Sequence, residues 1–409
     1  VAQDLETARP VERAVNRPVL STLGVFAIAV VLTTIASRLG IMRVVRGYDT
    51  RPWAGFDVVG GWWRYDGGWY DYIATRGYFY KGTSEQSAVA FFPMYPLILR
   101  GVNVFGINVP LAGVIVTIIC GAFAVLAFRK WCAERLGDSL AWMATITLLT
   151  YPYAFYLMGA VYADALFLLA VLCSFLLVER GHPILAGLVG AVATATRPVG
   201  VALVVGLVVF VIVQRKVIEN RHIYLRRLKA ADYGVLLSMS GLVAYMVYLG
   251  VRFGNPLAFQ AVQRAPGWDQ GAGPKTWFKL SWFKHVANMP ENFWNWAFGK
   301  PDSDYRALYS FTVFAQGLFV LLFAYLTWRV WKKFGAGYAA FTGTLVAIAL
   351  VGTKDFQGTG RYLLACFPCF AVLAIEFSQR NRLKWLWWIG GGLLMVGGAF
   401  AFGRGYYVA

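Results

Sequence analysis

Apolar runs long enough to cross a bilayer recur along this sequence, and short turns rich in arginine and lysine separate them. This pattern leaves a chain few ways to fold. The hydrocarbon core of a membrane takes about 20 apolar residues of helix, and each segment inside it must satisfy its own backbone polar groups. The runs lie near 20–41, 108–128, 139–158, 161–179, 183–196, 198–213, 233–252, 307–328, 337–353, 361–377 and 384–403. They predict an all-α, polytopic transmembrane fold of about eleven helices. Composition agrees, since 59% of the 409 residues are hydrophobic and 14% charged. An ordinary soluble domain has about 45–50% and about 25%. A soluble enzyme, a disordered chain and a small disulfide scaffold are excluded.

The formal net charge is +18. The basic residues sit in turns rather than in one soluble patch, so nucleic acid is not the expected partner. With the N-terminus inside, the inner turns carry Arg129, Lys130 and Arg135, then Arg180, then the stretch from Arg215 to Lys229. Arg329, Lys332 and Lys333 follow, and finally Arg380, Arg382 and Lys384. Residues 1–19 then read as a cytoplasmic tail, and 20–409 as a single transmembrane domain whose first helix is retained rather than cleaved. Its two long loops, 42–107 and 253–306, fall on the outer face. Their aromatic-rich sequences suggest function rather than disorder. Cys366 and Cys369 form a C-x-x-C within an apolar run, where buried packing outweighs zinc or redox chemistry.

The densest chemistry lies in Gly61–Tyr78 of the first loop, which holds Arg64, Asp66, Trp69, Tyr70, Asp71 and Arg76. Asp66 precedes Gly67-Gly68, where backbone can approach a ligand closely. A carboxylate there can take a proton from an attacking hydroxyl, or it can simply cap a helix beginning near Trp69. Asp71 and Arg76 can equally form a solvated pair. Glu85 and Gln86 are candidates for sugar hydroxyls, and Phe91 to Leu99 for a short interfacial segment. Asp164, beside Tyr162, is an acid near bilayer depth, which marks either function or a helix first turn. Arg197 and Arg361, with Lys354 near the latter, run against the inside-positive trend at outer helix edges. They suit a phosphate group or snorkel to headgroups. The three histidines form no spaced pair, and no nucleotide-binding loop is present, so no metal set or cofactor is expected; divalent-metal dependence is left open.

The run Arg64-Tyr65-Asp66-Gly67-Gly68-Trp69-Tyr70, followed by Ile73-Ala74 and Gly77-Tyr78, resembles the first-loop signature of PIG-V-like mannosyltransferases. Phe91-Phe92-Pro93-Met94-Tyr95-Pro96, Tyr162-Ala163-Asp164-Ala165-Leu166-Phe167, Thr196-Arg197-Pro198 and Gly360-Arg361-Tyr362-Leu363 resemble that family's later blocks, in order. The resemblance implies a GT-C glycosyltransferase fold and a polyprenyl-phosphate sugar donor, mannose in eukaryotic members. It casts Asp66 as catalytic base. Arg64, Trp69, Tyr70, Asp71, Glu85, Tyr162 and Asp164 become substrate-binding candidates, and Arg197, Arg361 and Lys354 donor-phosphate ligands. Gly68-Trp69 stands where animal members carry an acid and a histidine, which points to a bacterial member. Its active site would then face the periplasm, or the lumen of the endoplasmic reticulum in a eukaryote. A glycolipid, lipoglycan or protein would be the acceptor. A lipid or sugar-lipid transporter, and a non-catalytic subunit of a glycosylation complex, are the alternatives.

Overall fold

The structure is a computed structural model that describes residues 4–42, 58–268, 270 and 273–408. The chain is all-α and polytopic. Its helices are α1 (Asp4–Ile41), α2 (Asp66–Arg76), α3 (Met94–Asn103), α4 (Val109–Leu136), α5 (Asp138–Leu149), α6 (Asp164–Glu179), α7 (Pro183–Thr196) and α8 (Val201–Gln214). There follow α9 (Ser240–Phe253), α10 (Ala258–Ala261), α11 (Pro274–Trp277), α12 (Leu280–Ala287), α13 (Met289–Ala297), α14 (Ser303–Phe334) and α15 (Ala336–Gly352). The last are α16 (Thr359–Leu364), α17 (Phe367–Gln379), α18 (Asn381–Trp385) and α19 (Gly392–Arg404). Among the described residues, strand is confined to a two-residue antiparallel pair at the turn between Ile218 and Ile223.

Among the described residues, five segments are long and apolar enough to cross a membrane: Pro18–Ile41, α4, Ala230–Phe253, α14 and Asn381–Arg404. Shorter apolar helices, including α5, α7, α8, α15 and α17, pack among them. Every expected run contains helix, but two of them need correcting. Helix α1 begins at Asp4, ahead of its apolar segment Pro18–Ile41. The run 139–158 is not one span. Helix α5 stops at Leu149, ahead of Pro152, and residues 150–163 continue as turns with one 3₁₀ turn at Ala154–Leu157. The run 361–377 breaks after Leu364, and α17 restarts with Pro368 in its first turn. Proline lacks the N–H that would continue a ladder and restricts the residue before it. Irregular backbone at this depth is tolerable only where protein surrounds it, and Tyr151–Ala163 is buried.

The first loop contributes α2 and α3, short helices as expected; its residues 43–57 lie outside the described ones. Pro96 falls in the first turn of α3, where its missing N–H breaks no ladder bond. Two contacts fasten the outer parts together. Helices α1 and α19 touch backbone to backbone: a Cβ on Gly403 would lie 2.1 Å from the Ser37 carbonyl oxygen. A small outer core of Val89, Phe92, Tyr245, Leu249 and Val262 joins the two long loops. The Tyr245 hydroxyl donates to the Val89 carbonyl at 2.9 Å within it. The loops therefore form one structure on one side of the helices.

Candidate active site

Helix α2 begins on Asp66 itself. The backbone N–H of Asp66 donates to the Tyr162 hydroxyl at 3.3 Å, and Tyr65 just before it adopts a left-handed φ of 47°. The Tyr65 hydroxyl donates to the Gly405 carbonyl, which fixes this turn against the end of α19. The cap of α2 is Tyr65, not Asp66, and the Asp66 side chain turns to Arg361, whose Nη1 stands 2.9 Å from its Oδ2. The capping alternative for Asp66 is thus not what the fold uses.

Arg361 lies on α16, the short helix created by the break in the 361–377 run. Its guanidinium sits over the rings of Tyr162 at 4.8 Å and Tyr156 at 5.3 Å. Both tyrosines belong to the irregular 150–163 strip, so the failure of α5 to continue is what builds this platform. The same Nη1 is 3.9 Å from Oδ2 of Asp164, the first residue of α6. The other oxygen of Asp164 pairs with Nη1 of Arg197, which caps α7 and lies over the Tyr362 ring at 4.9 Å. Four charges therefore alternate in sign: Asp66, Arg361, Asp164, Arg197. Buried ions are tolerable when paired, and two acids here balance two bases. Arg361 Nε and the Tyr156 hydroxyl, both buried, make no hydrogen bond among the described residues. Such orphaned polar atoms are costly unless something arriving in the site takes them up.

Asp66, Arg197 and Arg361 line a cavity of about 1070 Å³. That exceeds the roughly 300–1,000 Å³ typical of small-molecule sites. Trp69 and Tyr70 also line it. Trp69 stacks on Phe91 with centroids 5.6 Å apart, and buried Tyr70 meets Tyr95 edge-on.

The remaining expected site residues lie elsewhere. Tyr162 and Asp164 do not reach the cavity but support its arginines from behind. Arg64 is buried, does not line the cavity, and donates to the Gly403 carbonyl, tying the loop to α19. Asp71 sits outside the cavity, where burial raises its carboxyl above the usual range against the pull of Arg76. Glu85 forms a surface pair with Lys81 at 2.6 Å, while its neighbour Gln86 lines the cavity. Lys354 does not line the cavity; its backbone N–H donates to Gln270 at 3.2 Å. Sequence reasoning missed the part of the wall that the second loop supplies through Gln260, Gln263, Arg264 and Trp268, together with Tyr407. The density of tryptophan and glutamine in that loop was the available signal. Tyr407 carried none. Among the described residues, no three histidine, cysteine, aspartate or glutamate side chains gather as a metal site would require.

No protein-family model and no curated protein sequence matches this chain. Among solved structures it is similar to the Archaeoglobus fulgidus oligosaccharyltransferase in its apo form, at 12% identity and a TM-score of 0.47 over 95% of this chain and 56% of that one. The same comparison with archaeal AglB from that organism, in complex with an inhibitory peptide and a dolichol-phosphate, gives 12% and 0.47 over 94% and 55%. ArnT from Cupriavidus metallidurans bound to undecaprenyl phosphate gives 14% and 0.48 over 95% and 76%. The chain spans a little over half the length of the archaeal oligosaccharyltransferases it matches. At these identities and scores the likeness says nothing of chemistry.

Proposed function

We propose that this chain is a membrane glycosyltransferase of the GT-C type. It moves a sugar from a polyprenyl phosphate to a hydroxyl of a glycolipid, lipoglycan or protein acceptor at the outer face. The motif resemblance favours mannose as that sugar and a bacterial periplasm as that side. The observation that carries the reading is the alternating line Asp66–Arg361–Asp164–Arg197, in which Asp66, Arg361 and Arg197 line a large aromatic-walled cavity and Asp164 braces the two arginines from behind. Four separate motif blocks supply its four residues.

The chemistry is a single inverting displacement. The acceptor O–H bond breaks and its proton passes to an Asp66 carboxylate oxygen. The acceptor oxygen forms a bond to sugar C1, and the C1–O bond to phosphate breaks with its electron pair staying on the phosphate oxygen. Arg361 and Arg197 stabilise that charge, as fixed positive groups aimed at developing negative charge do. Phosphate is a competent leaving group, so positioning and neutralisation are the main tasks. Arriving phosphate competes with Asp66 for Arg361, which releases the carboxylate at the moment a base is needed.

The test is transfer of radiolabel from polyprenyl-phosphate mannose in membranes holding equal amounts of wild type or Asp66→Asn. Label should enter a new product with the wild type only. Equal transfer by both would remove Asp66 from the chemistry. No transfer by the wild type from any polyprenyl-phosphate sugar would sink the reading.

A further inference from the structure

The transfer reaction leaves one prominent surface unused. Helices α11–α13 of the second loop, with the residues joining them, present large apolar side chains outward. Phe278, Leu280, Phe283, Trp294, Trp296 and Phe298 are each 54–69% exposed. Their orientation is fixed from the inner side. Trp282 donates from Nε1 to the Val313 carbonyl at 3.0 Å, and Asn292 donates to the Ser310 hydroxyl at 2.7 Å, both on α14. Lys279 reaches the Thr353 carbonyl beyond the end of α15. Exposed Lys275, Lys284 and Lys300 punctuate the apolar face.

The depth of this face follows from the helices that hold it. Helices α14 and α15 meet at the basic inner turn around Lys332 and Lys333. A helix rises about 1.5 Å per residue, so the α12 anchor points, Val313 and Thr353, stand about 25–30 Å from that turn. The hydrocarbon core is about 30 Å thick. Helix α12 therefore lies where the opposite boundary of acyl chains and headgroups falls. Tryptophan and lysine favour that boundary, as they do in helices that lie along a membrane surface. Trp277, itself 54% exposed, also lines the cavity, so this segment forms part of the cavity's edge.

We propose that α11–α13 is an interfacial foot whose aromatic face beds into the outer leaflet of a phospholipid bilayer and holds the cavity mouth at lipid level. A lipid-linked donor then enters sideways without leaving the bilayer. This last consequence rests on the glycosyl-transfer reading; the lipid contact itself does not.

The experiment uses the full chain in nanodiscs of phosphatidylcholine and phosphatidylglycerol, with the photo-reactive residue benzoylphenylalanine replacing Phe283, Trp294 or Phe298 in turn. After irradiation, mass spectrometry should find phospholipid adducts at all three positions. Cross-links to a second copy of the chain, or an absence of lipid adducts, would overturn the proposal. In the double variant Trp294→Ser/Phe298→Ser, KM for long-chain polyprenyl-phosphate mannose should rise about tenfold, with KM for a short-chain, water-soluble donor unchanged. An equal rise for both donors would overturn the delivery role. If wild type uses neither donor, the transfer reading fails, while the adducts still decide the lipid contact.

Discussion

At the scale of single residues, the four charges of the site have separable roles. Asp66→Asn keeps an acceptor for Arg361 but removes the base. Its transfer rate should fall by about 10²–10⁴ with the melting temperature nearly unchanged, read by label transfer and a thermal melt in detergent. Asp164→Ala should behave in the opposite way. It leaves buried Arg197 without its acid, and breaking a buried pair costs about 3–5 kcal/mol, so the melt should move first. Asp66, Arg197 and Arg361 stand out in the sequence because a charge next to apolar helix needs a reason, and the fold brings these three to one cavity, with Asp164 behind them. Arg64, Glu85 and Lys354 looked equally apt. Their roles depend on which way each side chain points, and neither spacing nor composition encodes that. Tyr162 was expected to touch sugar and instead lies beneath Arg361, for the same reason.

At the scale of elements, the informative features are the places where helices stop. Hydropathy reads 139–158 as a span because it measures burial in apolar surroundings, and residues 150–163 are buried whether helical or not. The two breaks put Tyr156, Tyr162 and Arg361 at one level, a geometry that continuous helices would not produce. The contact of α16 with the 150–163 strip is tight. A Cβ on Gly360 would lie 2.4 Å from the Tyr153 ring. Gly360→Ala should therefore push α16, and with it Arg361, away from the tyrosine platform. Overpacking of this kind costs about 1–3 kcal/mol. We expect KM for the lipid-linked donor to rise with a smaller change in kcat, measured by steady-state transfer at varied donor concentration.

At the scale of the whole molecule, the second outer loop had no motif, yet it closes the cavity and grips the helices. Its grip carries a pH signature. Lys279 is buried, and that burial pushes its ammonium down to about 8 against the pull of Asp355. The unfolded chain holds the proton up to about 10.4. The folded state therefore bears the cost of a buried charge below about 8 and sheds it as pH rises toward the unfolded value, so stability increases across that window. The melting temperature should climb between pH 7 and 10 in the wild type and climb less in Lys279→Met; a flat wild-type profile would contradict this.

The seam between α1 and α19 has a consequence for biogenesis. Tyr65 is held by Gly405, and the cavity draws its walls from Tyr65 and from Tyr407. Ribosomes deliver these two stretches at opposite ends of the translation of this sequence. An insertion intermediate that still lacks α19 and Tyr407 has one wall of this cavity missing, so the cavity closes only once that stretch has joined the helices already in the membrane.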